Sequence, residues 1–382
     1  MGQFRGIELA DLTLDTVRLH LRPWRRDDAD AVYEVMQNPE MRRFLKVPDP
    51  YGRADADAYV TEFAPRAASA GIGLELAITH SESGRLVGAC ALRLPPEKVA
   101  DDDTADVGYW VAPEAQGQAF AAEAASGLAA WALQQGVRRV EIRCEVTNLA
   151  SARTALRAGF GFEAIRRSAL DVRGVARDAA VFVRTARSDG QPIAPVFPPL
   201  PADGLTDGVI GIRATVPADA PGFTEMESDA VSVDVGFTGE LPAEGQYVEV
   251  TERAGLGWLV GPVMAQMTIF DVATGEFAGS IQLRHAGPPK VAGIGYGVHP
   301  AFRGRGYTAR ALKLLTAWAF ENAGYARLEL GAKSRNVASQ RAAVSGGFVA
   351  DGVRAARLRE ADGSFSDEVR YALVSPLIKR VP

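Results

Sequence analysis

Apolar and polar residues recur with two different periods along this chain. In residues 309–320 the apolar side chains return every three or four positions, at Ala311, Leu312, Leu315, Trp318 and Ala319. This spacing predicts an amphipathic helix. The preceding run VAGIGYGVH, residues 291–299, alternates with a period of two and predicts a strand that its glycines weaken or bend. A second helix is predicted after Asn336, a typical N-cap residue, with Gly346 and Gly347 as its end.

The same order of elements occurs earlier in the chain with similar residues. The segment GYWVAPEAQGQAFAAEAASGLAAWAL, which begins at Gly108, corresponds to GYGVHPAFRGRGYTARALKLLTAWAF, which begins at Gly295. Trp131 and Trp318 are 187 positions apart, and NLASARTALRAGFGF corresponds in the same way to NVASQRAAVSGGF. Because order, spacing and residue type agree over most of both halves, the chain is interpreted as an internal duplication.

Residues 187–208 separate the two halves and contain five prolines without any hydrophobic period. This composition favours an extended, fairly stiff connector. We therefore expect an N-terminal domain at 1–186 and a C-terminal domain at 209–382. Each half predicts a strand, one or two helices, several strands, a helix, a strand, a helix and final strands. That order indicates an α/β domain with a mixed sheet in the middle, present twice.

Composition excludes several classes of partner. The net charge is −5 and arginines are mixed with acidic residues, so nucleic acid is not expected as the main partner. No apolar run approaches about 18 residues, so no membrane span is expected, and the first residues lack a signal core, which indicates a cytoplasmic protein. Cys90 and Cys144 are expected to be buried free thiols. Four scattered histidines give no metal-site spacing, so no metal is expected.

The glycine-rich turn RGRGYT before the predicted helix is suited to an anion. A strand that leads into a helix start leaves several backbone N–H groups unpaired at the turn. Gly304 and Gly306 let an anion approach the main chain, and Arg303 and Arg305 can bind phosphate oxygens. A tight turn with solvent-facing arginines explains the same residues, and both interpretations remain open on the turn alone. The turn lacks the Gly-Lys-Ser/Thr of a P-loop and comes too late in the domain for a dinucleotide fingerprint.

Taken together, these segments resemble the GNAT superfamily of acyl-CoA N-acyltransferases, in particular its ribosomal-protein N-acetyltransferase-like branch. The resemblance rests on Arg/Gln-Gly-x-Gly-x-Gly/Ala followed by Asn-x-x-Ser before Gly-Phe, and it covers most of both halves. It implies a mostly antiparallel mixed sheet flanked by helices in each domain, and acetyl-CoA as co-substrate with no metal. It also implies that the anion is the pyrophosphate of coenzyme A. The implied cofactor-binding residues are Val298, His299, Arg303, Gly304, Arg305, Gly306, Tyr307, Thr308 and Asn336 in the C-terminal half, and Val111, Gln116, Gly117, Gln118, Ala119, Phe120, Ala121 and Asn148 in the N-terminal half.

The catalytic residues implied by the resemblance are less complete. Many members carry a tyrosine acid seven residues after the asparagine, where this chain has Ala155 and Ala343. In the resembling branch the candidate is instead Ser151 or Ser339, expected to stabilise the departing thiolate by a hydrogen bond. A helix-start serine that bonds to backbone is the alternative. The branch also often has a carboxylate base at the position of Asp106, although a solvated edge residue is the better explanation of that aspartate.

The two halves differ in ways that favour the C-terminal one as cofactor binder. Ala119 stands where the second glycine belongs, and Gln116 and Gln118 replace the arginines. The N-terminal half is then expected to be a weakened enzyme or a scaffold. The protein is expected to be either a monomer whose two halves imitate a two-fold dimer, or a homodimer. The expected acceptor is a small-molecule amine or a peptide N-terminus, which the acidic loops at 46–63 and 227–250 would suit. Acidic residues are also common on any solvated loop, and that is the preferred explanation of the loop charge. A non-catalytic acyl-CoA-binding or scaffold protein is the alternative function.

Overall fold

The structure is a computed structural model that describes residues 3–4, 7–94, 103–237, 240–261, 264–360 and 362–379. The chain divides into two compact units, Met1–Ala194 and Pro195–Pro382, called the N-terminal and C-terminal units below. The expected connector 187–208 is partly built into the C-terminal unit. Phe197 is fully buried in that unit's core, where its ring stacks on His285 with the ring centres 4.6 Å apart.

The N-terminal unit contains ten strands and six helices among its described residues. Its elements are β1 (Gln3–Phe4), β2 (Ile7–Glu8), β3 (Leu14–Asp15), β4 (Leu19–Pro23), α1 (Ala29–Gln37), α2 (Pro39–Arg42), α3 (Arg53–Ala58), α4 (Ala64–Ser69), β5 (Gly73–His80), β6 (Leu86–Arg93), β7 (Thr104–Val111), α5 (Phe120–Gln134), β8 (Arg139–Glu145), α6 (Leu149–Arg157), β9 (Gly161–Val172) and β10 (Val175–Thr185). A π-helical turn, Tyr59–Phe63, joins α3 to α4.

Among the described residues the C-terminal unit repeats this order without the β1–β2 pair, and it has a single helix, α9, where the N-terminal unit has α3 and α4. Its elements are β11 (Leu205–Thr206), β12 (Ile210–Ala214), α7 (Ala220–Ser228), α8 (Ala230–Val235), α9 (Gln246–Val260), β13 (Met264–Asp271), β14 (Phe277–His285), β15 (Val291–Val298), α10 (Tyr307–Glu321), β16 (Arg327–Lys333), α11 (Val337–Ser345), β17 (Val349–Arg359) and β18 (Phe365–Val374). Helix α10 contains the helix predicted over 309–320, and α11 begins directly after its predicted N-cap, Asn336.

Each unit is built on one eight-stranded sheet of the same topology. The strand orders are β3-β4-β5-β6-β7-β8-β10-β9 and β11-β12-β13-β14-β15-β16-β18-β17. All neighbouring strands run antiparallel except β7 with β8 and β15 with β16. This confirms the expected pair of tandem α/β domains with mixed, mostly antiparallel sheets.

In the C-terminal unit the main core lies between the sheet and helix α10. Ala311, Leu312 and Leu315 of α10 are fully buried against Ile212, Met267 and Ile281 of the sheet, in the register that their helical spacing predicts. In the N-terminal unit a further apolar cluster joins α1, α3 and α4 to the sheet. The helices thus hold the central strands between two layers of side chains, which positions the ends of those strands.

An arginine–aspartate pair anchors the first long helix of each unit to its sheet, and it is buried in the N-terminal unit. Arg22 donates two hydrogen bonds of 2.8 Å to the carboxylate of Asp28, just before α1. Arg213 and Asp219 repeat the arrangement before α7, with bonds of 2.8 and 2.7 Å. The pair fixes where each helix leaves the sheet, and α7 contributes to the site described next.

Cys90 and Cys144 are free and buried, as expected. In the described parts of the chain no helix has the length and apolar character that a membrane crossing needs. The same residues include no group of three or more histidine, cysteine, aspartate or glutamate side chains placed to hold a metal ion.

Candidate functional site

The two parallel strands at the centre of each sheet pair over only three residues. In the C-terminal unit the pairing of β15 with β16 ends at Gly293 and Glu329, although β15 continues to Val298. In the N-terminal unit β7 and β8 part after Asp106 and Glu141. We call the opening between the diverging strands the fork. Its edges carry backbone groups that have no neighbouring strand to pair with, and a ligand can satisfy them.

The orientation of the backbone at the end of β15 follows from one hydrogen bond. The N–H of His299 donates to the carbonyl of Ala278 on the β14 side, at 3.0 Å. Since successive N–H groups of a strand point in opposite directions, the N–H of Val298 points into the fork. His299 itself lies 3.2 Å from Glu225 through its Nε2 atom.

The glycine turn lies at the end of β15 and opens α10. Gly304 and Gly306 have φ values of 77° and 75°, in the left-handed region where only glycine is unstrained. Gly306 is the N-cap of α10 and provides no side-chain cap, and a Cβ built on either glycine meets no atom within 4 Å. The first N–H groups of α10 therefore have no side-chain cap and follow a turn with space beside both glycines, which is an arrangement that binds anions at helix starts.

The side chains of this turn differ in how free they are. Arg303 donates to the Asp229 carboxylate at 2.5 Å and to Ser232 Oγ at 2.9 Å, and this contact holds the pKa of Asp229 below its ordinary value. Arg305 is exposed, with its guanidinium 4.9 Å from the centre of the Phe302 ring. Tyr307 is buried and donates to Asp271. Arg305 is thus the turn arginine that is available to a phosphate, together with the backbone up to Thr308.

The corresponding turn of the N-terminal unit keeps the backbone and changes the chemistry. Gly117 and Ala119 have φ values of 79° and 62°, and Ala119 is the N-cap of α5. Gln116 donates weakly to the carbonyl of Val111, at 3.4 Å, and the carbonyl of Gln118 accepts from Arg18 at 3.0 Å. The turn therefore carries a methyl group at its mouth, while Phe120 is buried behind it and Ala121 lies in the first turn of α5.

Ala119→Gly is expected to stabilise the N-terminal unit by about 1 kcal/mol, because an L-residue in the left-handed region costs about 1–2 kcal/mol and glycine does not. Urea unfolding followed by tryptophan fluorescence measures this change. Ala121→Gly is the control, since Ala121 is helical and should lose about 1 kcal/mol. A destabilised Ala119→Gly variant would show that the left-handed conformation carries no strain here.

The two candidate serines are each bonded to a tyrosine that sequence reasoning missed. Tyr296 of β15 and Ser339 of α11 share a hydrogen bond of 2.8 Å between their hydroxyl groups, and Tyr109 and Ser151 share one of 2.9 Å. Tyr296 lies beyond the last pair of β15 with β16, so this bond bridges the fork. The sequence feature that could have indicated these tyrosines is the Gly-Tyr pair that is repeated at 108–109 and 295–296.

Helix capping and burial fix these hydroxyl groups in place. The side chains of Asn148 and Asn336 accept from the backbone N–H of Ser151 and Ser339, at 3.1 and 3.0 Å. Burial raises the pKa of Tyr296, and its bond to Ser339 offsets only part of that rise. The phenol therefore stays protonated at neutral pH, and the tyrosine–serine pair can donate a hydrogen bond.

Asp106 lies on β7 at the point where the fork begins. Its two carboxylate oxygens accept from Arg93 at 2.5 Å and from Arg143 at 2.6 Å. With both oxygens bound by guanidinium groups, the Asp106 carboxylate is part of an ion-pair network in this structure. The C-terminal unit has Gly293 at the corresponding position.

Several acidic residues of the loops that suggested a cationic acceptor pair with arginines of their own unit. Asp49 contacts Arg173 at 3.0 Å, and Asp234 contacts Arg335 at 3.2 Å. Asp229 contacts Arg303, as described above. For these residues the loop charge is partly neutralised within the fold.

Comparison with known proteins identifies both units. The family model described as Acetyltransferase (GNAT) domain matches residues 18–161 and 210–349. The chain is similar to the solved structures of RimL, a ribosomal L7/L12 alpha-N-protein acetyltransferase in complex with coenzyme A (20% identity, 47% of this chain and 100% of the other, TM-score 0.41), and of Mycobacterium smegmatis RimJ in complex with a CoA-disulfide (20%, 46% and 88%, 0.41). It is also similar to the microcin C7 self-immunity acetyltransferase MccE in complex with acetyl-CoA and AMP (23%, 44% and 93%, 0.40). A comparison with curated protein sequences returned no match.

Proposed function

This chain belongs to the GNAT acetyltransferase family, and on that premise we propose that it transfers the acetyl group of acetyl-CoA to a primary amine, with the C-terminal unit as cofactor binder. Within the family we assign it to the ribosomal-protein N-acetyltransferase-like branch, on its motifs. The observation that carries the proposal is the fork of the C-terminal unit, which ends beside a helix start without a side-chain cap. The residues present fit coenzyme A there, because Gly304 and Gly306 leave the turn open and Arg305 adds a positive charge.

The residues around the fork divide the work of acetyl transfer. When bound, acetyl-CoA supplies the thioester carbon that the amine attacks. The N–H of Val298 donates to the thioester carbonyl, where negative charge develops during attack. The pair of Tyr296 and Ser339 donates to the departing sulfur, in place of the tyrosine that position 343 lacks. The turn from Arg303 to Thr308 holds the phosphates and so positions the thioester.

In the N-terminal unit we propose a scaffold or a weakened site. Ala119 places a methyl group at the turn, and both oxygens of Asp106 are held by arginines. A non-catalytic acyl-CoA-binding protein is the second candidate for the whole chain, and Ala155 and Ala343 in place of the expected tyrosine acid favour it. It predicts acetyl-CoA binding without CoA release on any amine.

Calorimetric titration with acetyl-CoA and a CoA-release assay on a panel of primary amines test the proposal. Ser339→Ala is expected to lower kcat by about 10- to 100-fold, the value of one hydrogen bond to a charged group, with the Kd of acetyl-CoA within threefold. Ser151→Ala is the matched control and should leave kcat unchanged. The opposite result, a loss confined to Ser151→Ala, would assign catalysis to the N-terminal unit.

A further inference from the structure

Between Gly293 and Gly297, one face of the fork strand β15 carries no side chains of its own. Ala292 and Ile294 are buried in the core beneath α10, so the alternate residues point to the other face of the sheet. Those residues are Gly293, Gly295 and Gly297. On β7 of the N-terminal unit the same three positions are Asp106, Gly108 and Trp110. The C-terminal unit therefore has no side chain of its own on the strand where the N-terminal unit has an aspartate and a tryptophan, and side chains of other elements, Gln282 at Gly295 and Met226 at Gly297, lie against the strand instead.

Helix α7 brings a carboxylate to this bare face. A Cβ built on Gly297 would lie 3.0 Å from the sulfur of Met226 and 3.4 Å from Oε1 of Glu227. Glu227 thus reaches β15 one residue before Val298, whose N–H points into the fork. The arginine–aspartate pair of Arg213 and Asp219 anchors the start of α7 and holds this approach.

The N-terminal unit fills the corresponding space with apolar side chains. Met36 occupies the position in α1 that Glu227 occupies in α7, the eighth residue of each helix, and it is 2% exposed. Trp110 stacks on Trp24 with the ring centres 6.3 Å apart and packs against the same cluster. The N-terminal unit has a different carboxylate on this face of its sheet, Glu75 of β5, which accepts a hydrogen bond of 3.2 Å from Tyr59. A carboxylate that comes from the first long helix is therefore a feature of the C-terminal unit.

Glu227 is partly buried, and among the described residues it makes no hydrogen bond and no ion pair. Burial raises its pKa above the ordinary value of a glutamate. The titratable groups on the elements around it are already engaged or neutral: Glu225 with His299, Asp229 with Arg303, and Tyr247 of α9, whose pKa burial and Glu227 raise to about 12. Within the described part of the chain, no cation is paired with the Glu227 carboxylate that an incoming ammonium group would have to displace.

We propose that Glu227 is the general base of the C-terminal unit and receives a proton from the acceptor amine, an assignment that rests on the acetyl transfer proposed above. An alkylammonium group has a pKa of about 10.4 and must lose a proton before it can attack. It gives that proton to the Glu227 carboxylate, and the neutral amine then attacks. The C–N bond forms as the C–S bond breaks, and the nitrogen's second proton goes to the departing thiolate, which leaves as the CoA thiol. Glu227 then releases its proton to solvent.

The test compares Glu227→Gln with the wild-type chain on two kinds of acceptor. With alkylamines kcat/KM at pH 7 is expected to fall about 100-fold, within the usual range for loss of a general base. The loss should shrink as the pH approaches the pKa of the amine. With hydroxylamine, which is unprotonated at pH 7, the loss should be below about tenfold. The acetyl-CoA Kd and the Tm should stay at wild-type values.

Glu34→Gln is the matched control, since Glu34 is an exposed carboxylate on α1, the corresponding helix of the N-terminal unit. It should retain full activity. Alkylamine activity of Glu227→Gln within threefold of wild type overturns the assignment, and so does a loss that is equal for both acceptors and independent of pH. If the wild-type chain binds acetyl-CoA but acetylates no amine, the proposed function itself is wrong, and the role of Glu227 that depends on it is wrong as well.

Discussion

Replacing Gly304 and Gly306 together by alanine is expected to weaken acetyl-CoA binding by about 100-fold and to abolish measurable transfer. Each alanine must adopt a left-handed conformation, which destabilises the folded unit by about 1–2 kcal/mol, so the Tm is also expected to fall. Each also places a methyl group where the N–H groups of α10 would meet a phosphate. Titration calorimetry measures the affinity, and the Tm checks that the unit remains folded.

The control for this experiment is Gly117→Ala in the N-terminal turn, where the glycine has nearly the same φ, 79°. If the C-terminal unit binds the cofactor, this variant should retain the wild-type Kd within threefold. If Gly117→Ala loses acetyl-CoA binding while the double variant retains it, the binding site must be assigned to the N-terminal unit. Ala119→Gly then becomes the variant to examine for gain of affinity.

Asp28→Ala is expected to lower the free energy of unfolding of the N-terminal unit by about 3–5 kcal/mol. Asp28 accepts two bonds from Arg22 and one of 2.7 Å from the N–H of Arg25, and the side chains of the pair are only 9% and 10% exposed. Its removal leaves the Arg22 guanidinium buried without a counter-charge, which is the costly way to break such a pair. Urea unfolding followed by tryptophan fluorescence measures the change.

The corresponding substitution in the C-terminal unit, Asp219→Ala, is the internal comparison. The Arg213 side chain is 38% exposed, so water can solvate it after the partner is lost, and the expected cost is about half as large. An equal cost in both units would contradict the argument from burial.

The contribution of Asp28 should also depend on pH. Burial alone would raise its pKa, but the hydrogen bonds from Arg22 and from the N–H of Arg25 outweigh burial and lower it. A carboxyl whose pKa is lowered in the folded state stabilises the fold fully when the pH is above its pKa in the unfolded state, near 3.9. That stabilisation is lost as the pH falls through the pKa of the folded state. The difference between wild type and Asp28→Ala should therefore shrink below about pH 4.

Helices and turns that depend on residues close together in the chain were predictable from the sequence. Helical spacing at 309–320 located α10, and Asn336 marked the start of α11. Glycine at 304 and 306 located the turn, since few other residues tolerate its backbone angles. The assignment of roles to the turn residues from sequence, including Arg303 and Ser339, remains a prediction.

Contacts between distant segments were not visible in the sequence. Tyr296 is 43 residues from Ser339, and Arg303 is 74 residues from Asp229, which occupies it in this structure. Glu227 and Gly297 are 70 positions apart, and no motif links them. Each contact depends on the register of the sheet and on where a helix crosses it.

By itself, the sequence determined the duplication, the order of strands and helices, and the two glycine turns, because period, caps and backbone freedom act within a few residues of one another. Only the tertiary structure decided which side chains meet at the fork, which turn arginine is exposed, and in which unit the first long helix brings a carboxylate to the fork strand. Those outcomes depend on packing between segments that lie far apart in the chain, and short-range preferences do not specify such packing.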